Sequence, residues 1–214
     1  MSERTAGFTH GGNVWGKKDR FAWLDFSANI NSLGMPLSVR EAIQGAQSDV
    51  GFYPEPYAAG AVQSVAGYLR IEPDHLLLAN GGIDALRMAA EYFASGACVV
   101  PAPAFCEYER FAVNMRASIR RITAAPCEGA YVLSLDAVKR ATVPESLVFL
   151  CNPANPDGSV MDKGAMLDFF RFAVQAGVRV IVDEAFIDFC PEYTVRSAVD
   201  AYPNVIVCGS LTKI

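Results

Sequence analysis

Histidine is scarce in this chain of 214 residues, and its cysteines fall at no recognisable spacing. The two histidines, His10 and His75, and the six cysteines at 98, 106, 127, 151, 190 and 208 form no C-x-x-C pair and no metal-ligand pattern, so no metal site is expected. Several cysteines sit in or beside apolar stretches, where a thiol behaves as a small hydrophobe. They read as reduced, which fits a cytoplasmic protein. No apolar run approaches the roughly 18 residues of a membrane span, and the opening Met-Ser-Glu-Arg-Thr-Ala-Gly has no apolar signal-peptide core. Basic residues are not in excess: 18 Lys and Arg stand against 23 Asp and Glu, for a net charge of −5 and a pI near 5.1. That balance argues against nucleic-acid and anionic-membrane partners, and Arg116, Arg120 and Arg121 read as a solvated face. Neither the Walker loop nor the dinucleotide G-x-G-x-x-G is present, and there is no internal repeat or low-complexity segment.

What is present is a core-rich composition, 52% hydrophobic and 19% charged, with a mean hydropathy of +0.21. Residues 1–35 are rich in Gly and Asn and read as an extended arm; 36–214 read as one domain. Pro36 is placed to open a helix to about Gln47, Tyr53-Pro-Glu-Pro-Tyr57 is a stiff turn, and Ala58–Leu69 has helical periodicity. From residue 75 onward the rhythm changes. Short apolar strands are predicted at 75–79, 98–100, 118–122, 147–151, 178–182 and 205–208. Helices are predicted at 83–94, 106–114, 135–140, 163–176 and 195–201. This alternation implies βαβ units, a mainly parallel sheet and helices on both faces, a three-layer α/β/α architecture. In such sheets ligands bind at the carboxyl ends of the strands.

The polar residues worth singling out lie at those ends. Asn80-Gly81-Gly82-Ile83-Asp84 follows a strand and opens a helix, so its backbone N–H groups can approach an anion. Asn152-Pro-Ala-Asn155-Pro is a tandem Asn-Pro turn that can aim an amide into a site. Asp183 ends an apolar strand, and a carboxylate buried there needs a cationic or protonated partner; a helix-capping role is the alternative. Phe105 follows another strand end, where an aromatic serves either for ring stacking or as core. Ser210-Leu-Thr-Lys213 places two hydroxyls and an amine on one turn after a strand, and a lysine so placed is a candidate for covalent chemistry.

Taken together these motifs resemble the fold-type-I pyridoxal phosphate (PLP) enzymes of the aspartate aminotransferase superfamily. The resemblance covers nearly the whole chain. It implies that Lys213 holds the cofactor covalently, that Asp183 pairs with its ring nitrogen and that Asn155 bonds the 3′-oxygen. It implies that Gly81, Gly82, Ile83 and Ser210 cradle the phosphate, that Phe105 stacks on the ring, and that Tyr53 reaches the cofactor phosphate of the partner subunit in a homodimer with shared sites. The arm, His10-Gly-Gly-Asn13 and Leu24-Asp-Phe-Ser-Ala-Asn29-Ile-Asn31-Ser-Leu-Gly34, is similar to threonine-phosphate decarboxylases of cobalamin biosynthesis, relatives of the histidinol-phosphate aminotransferases. Within that resemblance His10 and Asn29 are the candidates for contacting a phosphorylated amino-acid substrate. Many aminotransferases carry a tyrosine three residues after the aspartate; here it is Phe186. The expected activity is therefore PLP-dependent decarboxylation. The alternatives are transamination of a histidinol-phosphate type and a non-catalytic dimerisation module. Family chains continue well past the lysine, so the resemblance implies a truncated, incomplete large domain lacking the carboxy-terminal small domain and with little activity of its own.

Overall fold

Four apolar runs, flanked by turns and too short for helices, form the centre of a sheet. The protein is described by a computed structural model that covers residues 11–16, 18–19, 22–128 and 130–213. Its strands are β1 (Ala97–Ala102), β2 (Ser118–Thr123), β5 (Leu147–Cys151), β6 (Arg179–Glu184) and β7 (Val205–Gly209), in the order β2-β1-β5-β6-β7. Every pairing among them is parallel. A separate antiparallel pair, β3 (Ala125–Cys127) and β4 (Ala130–Val132), was not anticipated from sequence. Three residues per strand are too few for an apolar periodicity to register.

The sheet is buried on both faces, as parallel sheets require. Side chains alternate between two cores at the strand period of two. Cys98, Val100, Leu147, Phe149, Cys151 and Ile181 point to one side, where they meet α3 (Gly82–Phe93) and α4 (Glu107–Asn114). Val99, Val148, Leu150, Val180 and Val182 point to the other, against α5 (Leu135–Ala141) and α6 (Lys163–Gln175). Because both sides are covered, these strands read as continuous apolar runs, which made them legible. Helix α5 is capped by the Ser134 hydroxyl, which accepts from the Ala137 N–H, and α6 by the Asp162 carboxylate, which accepts from the Ala165 N–H.

The chain divides into two compact units, one holding this sheet and the described residues up to Ala28, the other Asn29–Ala79. The second contains α1 (Leu37–Gly45), opened by Pro36 as anticipated, and α2 (Ala59–Leu69). The strand expected at 75–79 does not form. Pro73–His75 is a 3-10 turn and Leu76 after it is extended, but residues 76–79 belong to no ladder among the described residues. Leu77 is 71% exposed. An apolar run supplies the propensity for a strand, but only a hydrogen-bonding neighbour makes one.

Phe170 is fully buried in the second core and packs edge-on against Tyr202 at 5.5 Å between ring centroids. Phe170→Ala should lower unfolding stability by about 3–5 kcal/mol, measured by urea denaturation; a loss under about 1 kcal/mol would show that the site collapses around the smaller residue or was never packed.

Candidate active site

The strand order fixes where a ligand can sit. From β1 the chain moves outward to β2, then returns to β5 and proceeds the other way through β6 and β7. The reversal opens a crevice between β1 and β5 at their carboxyl ends, the usual binding position of open α/β sheets. A cavity of about 600 Å³ lies there, walled among others by Pro101, Tyr108, Tyr131, Cys151, Asn155 and Met161. Its walls are mostly apolar with a few polar groups, as in small-molecule sites.

Beside this crevice, one row of the sheet carries a buried carboxylate. Cys151, Asp183 and Cys208 are in register across β5, β6 and β7. Asp183 is 6% exposed, and burial pushes its carboxyl above the ordinary carboxylate range. Three groups oppose that shift. The Tyr108 hydroxyl donates to Oδ2 at 2.6 Å, the Ala185 N–H donates to Oδ1 at 3.0 Å, and Lys213 adds a favourable charge interaction. The flanking thiols do not add charge: burial raises Cys151 and Cys208 each to about 12. Asp183 is thus held among donors and neutral thiols, an environment prepared for one further hydrogen-bonding or cationic partner.

The neighbouring Glu184 is also buried, but its role is different. Its Oε2 accepts from the Thr194 hydroxyl at 2.7 Å and its Oε1 from the Val195 N–H at 2.7 Å, and Arg196 Nε lies 3.5 Å from Oε2. These bonds tie the loop after β6 back onto the strand. That loop carries Phe186, and the Lys213 amine stands 5.6 Å from the centroid of its ring.

Strand β7 and helix α3 bring the remaining candidates together. A Cβ on Gly82 would lie 3.9 Å from the Ser210 Cβ and 4.0 Å from the Gly209 carbonyl, so the loop after β7 runs past the start of α3. Gly81 has φ +87°, a conformation that a side chain would strain. The first N–H groups of a helix have no intrahelical acceptor and favour an anion. Here they are accompanied by the hydroxyls of Ser210 and Thr212, 3.0 Å apart. Asp84 does not enter this space; it accepts from the Asn80 N–H and pairs with Arg87 on its own helix.

The other anticipated residues are distributed as follows. Asn155 lines the cavity, half-buried, and its backbone N–H reaches the Cys151 thiol. Phe105 is half-buried; it packs against the first core and meets the Tyr108 ring edge-on at 5.8 Å. Asn29 and Tyr53 lie in the second unit, both exposed, Tyr53 at 98%. His10 falls outside the described residues. Sequence reasoning missed Tyr108. The signal was its position three residues after Phe105, in the first turn of α4.

A parallel α/β sheet that carries a buried carboxylate, an amine and a glycine-opened helix at its carboxyl ends defines a class of proteins with ligands at strand ends. Within that class this chain belongs to the aminotransferase class I and II family, whose model matches residues 22–214. It is 31% identical over 192 residues to threonine-phosphate decarboxylase of Salmonella typhimurium, covering 89% of this chain and 52% of that protein. It is 27% identical over 186 residues to histidinol-phosphate aminotransferase of Haemophilus influenzae, covering 86% and 51%. Its fold is similar to that of histidinol-phosphate aminotransferase from Sinorhizobium meliloti in complex with pyridoxal 5′-phosphate, with a TM-score of 0.72, 24% identity, and coverage of 87% of this chain and 51% of that one. The chain spans about half the length of the curated relatives it matches.

The raised pKa of Asp183 has a measurable consequence in protein prepared without cofactor. Below the unfolded carboxylate pKa of about 4 the group is protonated in both states and costs nothing. As pH rises from there towards the higher folded value, the unfolded state ionises first and the folded state is increasingly penalised; above the folded value the penalty is constant. Asp183→Asn removes that penalty. Its stability relative to the parent should therefore improve from about pH 4 and then level off once the folded carboxyl has ionised, read from urea midpoints; parallel pH profiles for the two proteins would contradict the burial cost.

Proposed function

We propose that this chain forms the cofactor-bearing part of a PLP-dependent enzyme, and that the enzyme decarboxylates L-threonine O-3-phosphate to aminopropanol phosphate and carbon dioxide. The observation that carries the reading is the convergence of Asp183, Lys213, Phe186 and the Gly82–Ser210 contact at the carboxyl ends of β6 and β7. The residues fit the cofactor. A buried carboxylate with oxygens not fully used suits a protonated ring nitrogen, the start of α3 with two hydroxyls suits a phosphate, and Lys213 suits a covalent link to an aldehyde.

Bound there, the cofactor would supply an electron sink for the pair released when a bond at the substrate α-carbon breaks. The chain's own residues divide the remaining work. Lys213 would hold the cofactor covalently through its amine. Asp183 keeps the ring nitrogen protonated. Asn155 would donate its amide to the 3′-oxygen, Phe105 would stack on the ring, and Gly81, Gly82, Ile83 and Ser210 would hold the phosphate. Phe186 offers the 3′-oxygen no hydroxyl, leaving Asn155 as its side-chain donor. His10 and Asn29 contact the substrate. Tyr53 serves the cofactor phosphate of a second subunit in a cytoplasmic homodimer. Decarboxylation is preferred over transfer because of the 31% identity to a threonine-phosphate decarboxylase and because of Phe186. The histidinol-phosphate aminotransferase relatives favour transamination as the second reading.

Carboxyl-labelled L-threonine O-3-phosphate separates the two. In the whole enzyme of which this chain is the cofactor-bearing part, labelled carbon dioxide should be released with the amino group kept on the product, and Lys213→Ala should reduce that release by at least about a thousandfold, in line with the loss of a covalent nucleophile; this chain alone should release little. A labelled keto acid in place of carbon dioxide would replace decarboxylation by transamination.

A further inference from the structure

Asp183 is deep enough that its state depends on its immediate donors, and one of them belongs to no assigned role. Tyr108 lies on α4, which leaves the carboxyl end of β1. Its side chain is fully buried. Its ring stacks on Phe149 at 5.2 Å with an interplanar angle of 14° and meets Phe105 edge-on. The ring therefore cannot swing, and its hydroxyl points at Asp183 Oδ2 at 2.6 Å, the length of a charge-assisted O–H···O bond. Burial raises the phenol well above its ordinary pKa, so it remains a donor wherever a carboxylate is ionised.

We infer that Tyr108 is a positioning residue that fixes the plane of the Asp183 carboxylate and favours its ionised form, so that Asp183 can hold a cationic ring nitrogen. The inference deepens the proposed function and rests on its assignment of Asp183. Physically, the two bonds divide the carboxylate between them. Tyr108 takes one lone-pair site on Oδ2 and the Ala185 N–H one on Oδ1, which leaves one on each oxygen for a ligand. Without the phenol the carboxylate would face burial with only a backbone donor and Lys213 to offset it. The other titratable groups facing it, Cys151 and Cys208, are neutral thiols on the adjacent strands and offer no replacement charge.

The test needs no cofactor, so its failure is separate from failure of the proposed function. The full chain is labelled with carboxyl-13C aspartate, the Asp183 signal is identified by its absence in Asp183→Asn, and its titration is followed by NMR. Tyr108→Phe keeps the ring and removes the donor; it should raise the Asp183 pKa by roughly one pH unit, the size expected for one charge-assisted hydrogen bond. Replacing Tyr108 with 3-fluorotyrosine, a more acidic phenol and a stronger donor, should move the same titration downward and does not depend on the Phe variant folding. A role limited to packing would change melting temperature and leave both titrations where they are, and that result would overturn the inference. If the titrations move as stated but the protein takes up no pyridoxal phosphate, the positioning role stands and the proposed function falls.

Discussion

A carboxylate buried at the end of a parallel strand is the constraint around which this site is arranged. Asp183 cannot sit in the sheet's interior without donors, and the fold delivers them from three directions: α4 brings a phenol, the turn after β6 brings its own backbone N–H, and the loop after β7 brings an amine. Each donor comes from the segment that follows a different strand, β1, β6 or β7. The site is therefore a property of the strand order and not of any local motif. Remove the sheet register that places Cys151, Asp183 and Cys208 in one row, and the groups would have no common point to face.

The two cores explain how that register is held. Alternate residues of β5 and β6 enter opposite faces, so a slip of one residue would exchange every buried contact and turn Asp183 away from Tyr108. Packing on both sides thus specifies the position of a polar group as strictly as that of an apolar one. Glu184 completes the arrangement. Its hydrogen bonds to Thr194 and Val195 hold the segment carrying Phe186 against the strand, where the lysine meets it. Two adjacent acidic residues in the sequence consequently have separate tasks. Glu184 has its hydrogen-bonding capacity taken up by protein groups, and Asp183 is left with some to spare.

Much of this was legible in the sequence. Four of the five strands appeared as apolar runs because both their faces are buried, the helices between them showed as periodic segments, and Asp183, Lys213, Ser210 and the Gly81-Gly82 turn stood at the element ends. The structure brings Ser210 next to Gly82 and places Lys213 within charge range of Asp183, as those positions suggested. Asn155 was legible as a turn residue, and the structure places it in the wall of the adjoining cavity. The parts that escaped depend on tertiary partners. Tyr108 looks like any core aromatic until its hydroxyl is seen to meet a residue 75 positions away. The β3–β4 pair is too short to show a pattern. Residues 75–79 have a strand's composition without a strand's neighbour. Tyr53 and Asn29 owed their assignment to resemblance alone, since nothing in their own surroundings marks them.

The account stands or falls on whether Lys213 bonds covalently to pyridoxal phosphate. The direct measurement is to incubate the protein with the cofactor, reduce it with borohydride, digest it and locate the added mass. The account predicts a single phosphopyridoxyl group on the peptide containing Lys213, and far less incorporation when Asp183 is replaced by Asn. Label spread over surface lysines with Lys213 unmodified would contradict it.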